Sequence, residues 1–324
     1  MTEVISPLGV SIVIPSYGRA KLLEACLEDI DKQVDVGPLE VIVVLRPSDD
    51  ATRRVVLERS TVRGIRHVAV QVHTAGIVSA LQVGWEAATG RHVAFCDDDA
   101  RYPNTWLQQL LKWFRDPRVG ATGGVIRQIG YIRKTVSDRN FANVGWLGRT
   151  TYNGFEKPTF TEPIDVDFLP GANMIVRRDL LAADDFMTEL DAPGSSPGWE
   201  LSLCLRVKEQ GFRVLLDPLV EVEHIGAPWV DGQRGQSNAR VHAYSRNITL
   251  IMLTYMTWAR RVAFLLYFWG VGQMESPGLL VIPWLAFRDP RSLWATVGSA
   301  YRGKAEGIVL AIRRLGSDSK RAAT

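Results

Sequence analysis

The strongest constraint on this chain is a pattern repeated four times before residue 117: a short apolar, β-prone run, then a helical stripe. Val10-Ser-Ile-Val-Ile14, Val41–Leu45, His67–Val72 and Arg91–Cys96 read as strands. Lys21–Gln33 places Leu22, Leu23, Cys26, Leu27 and Ile30 on one helical face, and Asp49-Asp50 opens a helix over Arg53–Arg59. Gly76–Ala88 turns Ile77, Leu81 and Trp85 inward, and Asn104 is the expected cap of a helix carrying Trp106, Leu107, Leu110, Leu111 and Phe114. Parallel strands need a crossover long enough to hold a helix, whereas antiparallel neighbours need only a tight turn. The alternation therefore predicts an α/β fold: a Rossmann-like, mostly parallel sheet flanked by helices, with ligands at the carboxyl ends of the strands.

Those ends bring Pro15–Arg19, Arg46–Asp50 and Asp97-Asp98-Asp99 to one rim. No Gly-x-Gly-x-x-Gly follows the first strand and no Walker-type loop occurs, so a dinucleotide fingerprint and a P-loop are both unsupported. Three consecutive carboxylates repel one another unless a positive charge sits among them. A hard divalent ion, Mg²⁺ or Mn²⁺, carrying a phosphate-bearing ligand on its other side, suits such oxygens. Taken alone, the run reads more readily as a turn or cap with solvated acids than as a site.

Beyond the fourth repeat, residues 119–126 form another strand, and Gln128–Pro163 is a polar, aromatic-rich insertion without a period. Order resumes at Ile164–Phe168. Trp199–Gln210 is a helix stopped by Gly211, and two short strands, Phe212–Leu216 and Val220–Val222, lead to Glu223-His224. From Trp258 onward there are ten Lys or Arg against four Asp or Glu, while residues 1–257 hold 28 basic and 31 acidic residues. The apolar runs Ile248–Ala259, Val262–Gly270 and Leu279–Phe287 are broken by Arg260-Arg261 and Pro283, too short to span a bilayer. With Trp258, Trp269, Trp284 and Trp294 among basic residues, they read as amphipathic helices in peripheral contact with an anionic membrane. A packed helical domain or a dimer contact is the alternative. Apolar runs in place of stacking platforms argue against nucleic acid. Three scattered cysteines and the lack of an apolar leader point to a reducing, cytoplasmic setting, on the cytoplasmic face of the cell membrane. The expected division is a domain over residues 1–240 and a helical extension over 241–324; the oligomeric state is not legible.

Several motifs, in order, carry a resemblance. They are Ser11-Ile-Val-Ile-Pro-Ser-Tyr-Gly-Arg19; Ala87-Ala-Thr-Gly90 with Phe95-Cys-Asp-Asp-Asp99; Leu169-Pro-Gly-Ala-Asn-Met174 through Arg177-Arg178; Trp199-Glu200 through Arg206 with Gly211; Val222-Glu-His224; and Tyr244-Ser-Arg-Asn247. Over roughly residues 8–257 the chain resembles family-2 glycosyltransferases of the GT-A type, as found in bacterial membrane-associated members. The resemblance implies metal-assisted, inverting transfer of a hexosyl or deoxyhexosyl group from a nucleotide-sugar donor, in cell-envelope or polysaccharide synthesis. It implies donor contacts from Pro15, Tyr17, Arg19, Arg46, Asp49, Asp97 and Asp98, and a metal on Asp97 and Asp99. His224 either completes the metal shell or is structural. Glu200 is the implied general base, with Gly171, Asn173, Met174 and Trp199 toward a lipid-linked or glycan acceptor.

The chain also departs from the family pattern. Glu200 falls on the Asp position of a Glu-Asp pair and Ser202 replaces the acid after it. Arg46 stands where relatives end the second strand in Asp, and Ala80-Leu81-Gln82 stands for Ala-Arg-Asn. These leave the nucleotide and sugar open. A sugar nucleotidyltransferase on a similar fold, or a catalytically degenerate scaffold, are the competing classes.

Overall fold

The repeats assemble as β1 (Val10–Pro15), β2 (Leu39–Leu45), β3 (Thr61–Val62), β4 (Ile65–Gln71) and β5 (His92–Phe95). They alternate with α1 (Ala20–Ile30), α2 (Asp50–Arg59), α3 (Ile77–Ala87) and α4 (Trp106–Leu111). Five further strands follow: β6 (Ala100–Arg101), β7 (Val119–Gln128), β8 (Ile164–Asp165), β9 (Met174–Arg177) and β10 (Arg213–His224). This computed structural model describes residues 9–137, 141–152, 155–192, 196–226, 237–273, 275–288 and 293–321. The chain divides into two units, one of Met1–Asn143, Tyr152–Phe186 and Leu203–Val230, the other of Val144–Thr151, Met187–Ser202 and Asp231–Thr324.

The first unit is one ten-stranded sheet in the order β8-β10-β7-β9-β5-β1-β2-β4-β3, with β6 on β10. β1, β2, β4 and β5 run parallel, as the helical crossovers require. β2 is buried along its whole length, which is why Leu39–Leu45 carries almost no polar residue. The exception, Glu40, accepts from Ser11 Oγ at 2.6 Å and from the Thr89 amide at 2.8 Å. Helix α3 crosses this layer at Gly84, where a Cβ would stand 2.3 Å from Val13 Cγ1.

β9 is inserted antiparallel between β5 and β7, opposing Met174 to both Phe95 and Gly123. Two local expectations are corrected. Phe212–Leu216 and Val220–Val222 are one strand, β10, whose register on β7 shifts between Leu216 and Glu221. Buried Asp217 organises that irregularity, accepting from Trp113 Nε1 at 2.9 Å and from the Leu219 amide at 3.0 Å. Asn104 does not cap α4. Thr105 occupies the cap position without a side-chain bond, and the Asn104 carbonyl instead accepts from the Val34 amide. The insertion after β7 pairs Thr135–Val136 with Lys157–Pro158 and is anchored by Arg133 on Glu221 at 2.5 Å.

The second unit is helical: α6 (Ser237–Tyr255), α7 (Trp258–Gly270), α8 (Ile282–Arg288) and α9 (Leu293–Arg321). Helix α5 (Trp199–Glu209) has residues 199–202 in this unit and the remainder in the first. α9 meets α6 through Gly303 and Gly307, where an added Cβ would lie 2.4 Å from the His242 and Arg246 carbonyl oxygens respectively. Between them Lys304 is fully buried. Its Nζ donates to the Phe268 and Pro277 carbonyls at 2.7 and 2.8 Å and lies over the Phe268 and Tyr301 rings. Burial pushes its pKa down to about 8. Among the described residues no helix is long and apolar enough to cross a membrane.

Candidate active site

β5 delivers the three aspartates, and β6 immediately after them pairs with the end of β10, setting His224 opposite Ala100. His224 Nε2 lies 3.3 Å from Asp97 Oδ2 and 3.3 Å from Asp99 Oδ1. Two backbone bonds fix the junction: the Ile225 amide donates to the Asp99 carbonyl, and the Ile129 amide to the His224 carbonyl, both at 2.9 Å. On the other side of the ring, Nδ1 is 2.8 Å from Gln128 Oε1. Gln128 fits because Gly226, at φ +69°, has no Cβ; one built there would meet Gln128 Nε2 at 2.3 Å.

These contacts test the site for a metal. Donor atoms of Asp97, Asp99 and His224 all lie within 4.8 Å of one another. Two hard carboxylates and an imidazole suit Mg²⁺ or Mn²⁺, and a His whose Nδ1–H is held by Gln128 presents Nε2 as the ligand atom. Without an ion, burial lowers the His224 pKa, but the hydrogen bond to Asp97 and the charges of Asp97 and Asp99 outweigh it. The net direction is upward: the same carboxylates that would hold a metal favour the protonated ring.

The middle aspartate points elsewhere. Asp98 is 2% exposed; its Oδ2 accepts from Ser16 Oγ at 2.6 Å, and its Oδ1 is 3.2 Å from Arg19 Nη1. Arg19 Nη1 also reaches Asp99 Oδ2 at 3.3 Å. Burial pushes the Asp98 carboxyl up to about 7, even though Arg19 and Ser16 pull it down. Asp98, expected on the donor, is in this structure the latch of the loop after β1. That loop is tied a second time through Asp49, which accepts from the Gly18 amide at 2.6 Å while capping α2 at Thr52. The remaining rim residues stay available: Tyr17 is 42% exposed beyond Pro15, and Arg46 Nη1 is buried without a hydrogen-bond partner among the described residues.

On the expected acceptor side, Gly171–Asn173 is a buried turn leading into β9. Asn173 is fully enclosed, its Oδ1 accepting from Trp106 Nε1 at 2.8 Å and its Nδ2 donating to the Val125 and Val220 carbonyls. Met174 is equally buried within the sheet. Both side chains pack within the core here. Trp199 is nearly buried and Glu200 is partly exposed in the first turn of α5, after Gly198 at φ +91°. A helix N-terminus favours the ionised form of Glu200, which suits a base. Glu200 belongs to the second unit and the acidic cluster to the first.

Three residues escaped the sequence reading. Gln128 closes β7 with no local sign of its partner. Ser16 lies inside a motif but carries no charge. Tyr102 donates from its hydroxyl to the Ala172 carbonyl at 2.9 Å and accepts from the Asp97 amide, joining the acid turn to Gly171–Asn173. Its position three residues after Asp99 was the available clue.

This sheet, with acids and a histidine at the carboxyl end of a central strand, defines an α/β fold of the GT-A class. Residues 11–183, over half of the chain, match the glycosyl transferase family 2 profile, and the chain belongs to that family. It is 28% identical over 116 residues to Glycosyltransferase AglE of Haloferax volcanii, covering 36% of this chain and 38% of that protein. The matched stretches of the curated relatives amount to between 15% and 38% of their own lengths. Two crystal structures share the fold, each with a TM-score of 0.53. GalNAc-T7 with UDP, GalNAc and Mn²⁺ is 15% identical, covering 82% of this chain and 56% of that one. S. aureus TarS 1-349 in complex with UDP-GlcNAc is 17% identical, covering 81% and 73%.

Proposed function

We propose that this protein is a nucleotide-sugar-dependent, inverting glycosyltransferase. The observation that carries the reading is the convergence of Asp97, Asp99 and His224 at the end of β5 in a family-2 chain. UDP and Mn²⁺ in GalNAc-T7, and UDP-GlcNAc in TarS, support the donor class. A Mg²⁺ or Mn²⁺ ion on these three residues would supply Lewis-acid neutralisation of the departing diphosphate. Tyr17 offers a face to the nucleotide base, and the Arg46 guanidinium, whose Nη1 is buried without a partner among the described residues, offers donors to an acceptor-bearing group of the donor nucleotide. Ser16, Arg19 and Asp98 hold the loop that positions Tyr17.

Glu200 takes the proton of the acceptor hydroxyl as that oxygen bonds to the anomeric carbon and the bond to the diphosphate breaks. The acceptor is a lipid-linked saccharide or growing envelope glycan, met on the cytoplasmic face of the membrane, to which the basic C-terminal helices attach the protein. Replacing Glu200 by Gln tests the base: transfer falls by about 10²–10⁴-fold while Mn²⁺-dependent donor binding is retained. Unchanged turnover removes Glu200 from the mechanism. A thermal-shift panel of nucleotide sugars with and without Mn²⁺ identifies the donor by mass action, and no stabilisation by any of them at saturation counts against the activity.

A further inference from the structure

In the second unit, α7 has two unlike sides. Phe264 and Phe268 are fully buried, whereas Trp258, Val262 and Leu266, at four-residue spacing, are 75, 48 and 73% exposed. The following turn and α8 repeat the pattern: Leu280, Trp284 and Phe287 are 75, 53 and 92% exposed at helical spacing. Two consecutive segments thus each display large apolar side chains to solvent, and a contiguous apolar surface of that kind is one that isolated soluble chains rarely leave open.

We propose that these six side chains form the face by which the second unit lies on an anionic lipid bilayer. Three features select lipid as the occupant. No described helix can cross a membrane, so the apolar side chains reach only to the acyl boundary, as interfacial helices do. Tryptophan, two of the six, is suited to headgroup depth, and Phe287 with Leu266 and Leu280 suits the apolar face of an interfacial helix. The chain from Trp258 onward carries ten Lys or Arg against four Asp or Glu; setting aside Lys304, which is buried, a basic excess remains as a complement to lipid phosphates. The same excess would set like charges against each other in a symmetric contact between two copies. Arg260 and Arg261 lie within α7 itself; Arg260 donates to the Gly145 and Trp146 carbonyls and Arg261 to the Thr254 carbonyl. The inference deepens the membrane attachment proposed above by assigning it to named side chains, and it is independent of the sugar chemistry.

The test is flotation of the full chain with phosphatidylcholine vesicles lacking or containing phosphatidylglycerol, at low and high salt. The wild-type chain floats with the anionic vesicles and is released by salt. Trp284→Ala, Phe287→Ala and Leu266→Asp each weaken binding by about tenfold or more, and circular dichroism stays unchanged because all three side chains are exposed. Variants that float as well as wild type would place attachment on another surface and overturn the assignment, leaving membrane attachment itself standing. A wild-type chain that does not float overturns both. A concentration-dependent dimer abolished by the same substitutions would make this face a contact between copies, also overturning the proposal. Donor-dependent thermal shifts on the same samples report on the glycosyltransferase reading separately.

Discussion

The two units bury charge in opposite ways. At the end of β5, Asp98 and Asp99 are nearly inaccessible, and each is met by opposite charge from Arg19 or His224. In the helical unit, Lys304 is fully enclosed with backbone carbonyls and aromatic faces as its recorded contacts. The first arrangement is open to a cation, because Asp97 remains 39% exposed and the two carboxylates favour positive charge beside them, raising the His224 pKa. The second is closed, with two of the three ammonium donors given to carbonyls and two rings against it, so it stiffens the junction of α7, α9 and the Gly272–Pro277 hairpin. A cluster of mutually compensating charges open on one side is suited to exchange, whereas a charge satisfied by fixed dipoles on all sides is suited to structure.

The largest expected effect breaks the open cluster. Asp97→Asn and Asp99→Asn each lower transfer by about 10³-fold and abolish Mn²⁺-dependent donor stabilisation, with little change in the melting temperature of the metal-free chain. Retained Mn²⁺ dependence in both would disprove the metal assignment. Next comes the closed site: Lys304→Ala leaves two carbonyls unpaired and a cavity, costing about 3 kcal/mol in denaturant unfolding. Lys304→Met, which keeps the apolar stem, costs roughly 1 kcal/mol or less. Equal losses from both variants would show that the ammonium, not the packing of its stem, holds the junction.

The pH response sharpens the contrast further. The His224 pKa is raised above 6.5, so its contribution to metal-free stability is complete below the unfolded value and fades as pH rises through the folded one. Metal binding displaces that proton, so Mn²⁺ affinity rises with pH over the same window, and titration of His224→Gln should lose this dependence. Asp98 acts in the same direction on stability. With a folded value of about 7 against 3.8, the folded chain holds the extra proton, and stability falls as pH climbs between them. Lys304 acts oppositely: about 8 folded against 10.5, it makes stability rise with pH between those values.

The smallest effect is Asp98→Asn. It preserves the Ser16 bond, removes a buried charge and flattens the fall in stability between about pH 4 and 7, while Mn²⁺ affinity moves less than threefold (about 0.6 kcal/mol). A loss of metal binding as deep as that of Asp97→Asn would mean that all three acids serve the ion.

Much of the first unit was legible because its signals are local. Val10–Pro15 and Leu39–Leu45 announce buried parallel strands by unbroken apolar runs, and the rim residues follow from the rule that ligands meet strand carboxyl ends. The misreadings arose where a distant partner decides. Asp217-Pro218 looks like a strand break, yet Trp113 and Lys112 satisfy the buried carboxylate so that β10 continues through it. The bonding of Asn173 was likewise illegible locally: Trp106 and two carbonyls from separate strands take up its amide.

The sequence by itself determined the strand–helix alternation, the acidic strand end and the basic, tryptophan-bearing tail, since each is written in the period or charge of neighbouring residues. Only the tertiary structure decided how the three aspartates divide their work. The turn after β5 sets Asp98 against Ser16 and Arg19, while the pairing of β6 with β10 brings His224, and Gln128 behind it, to Asp97 and Asp99. Those contacts join strands far apart in the chain, and long-range register is a property of the folded sheet that no local pattern encodes.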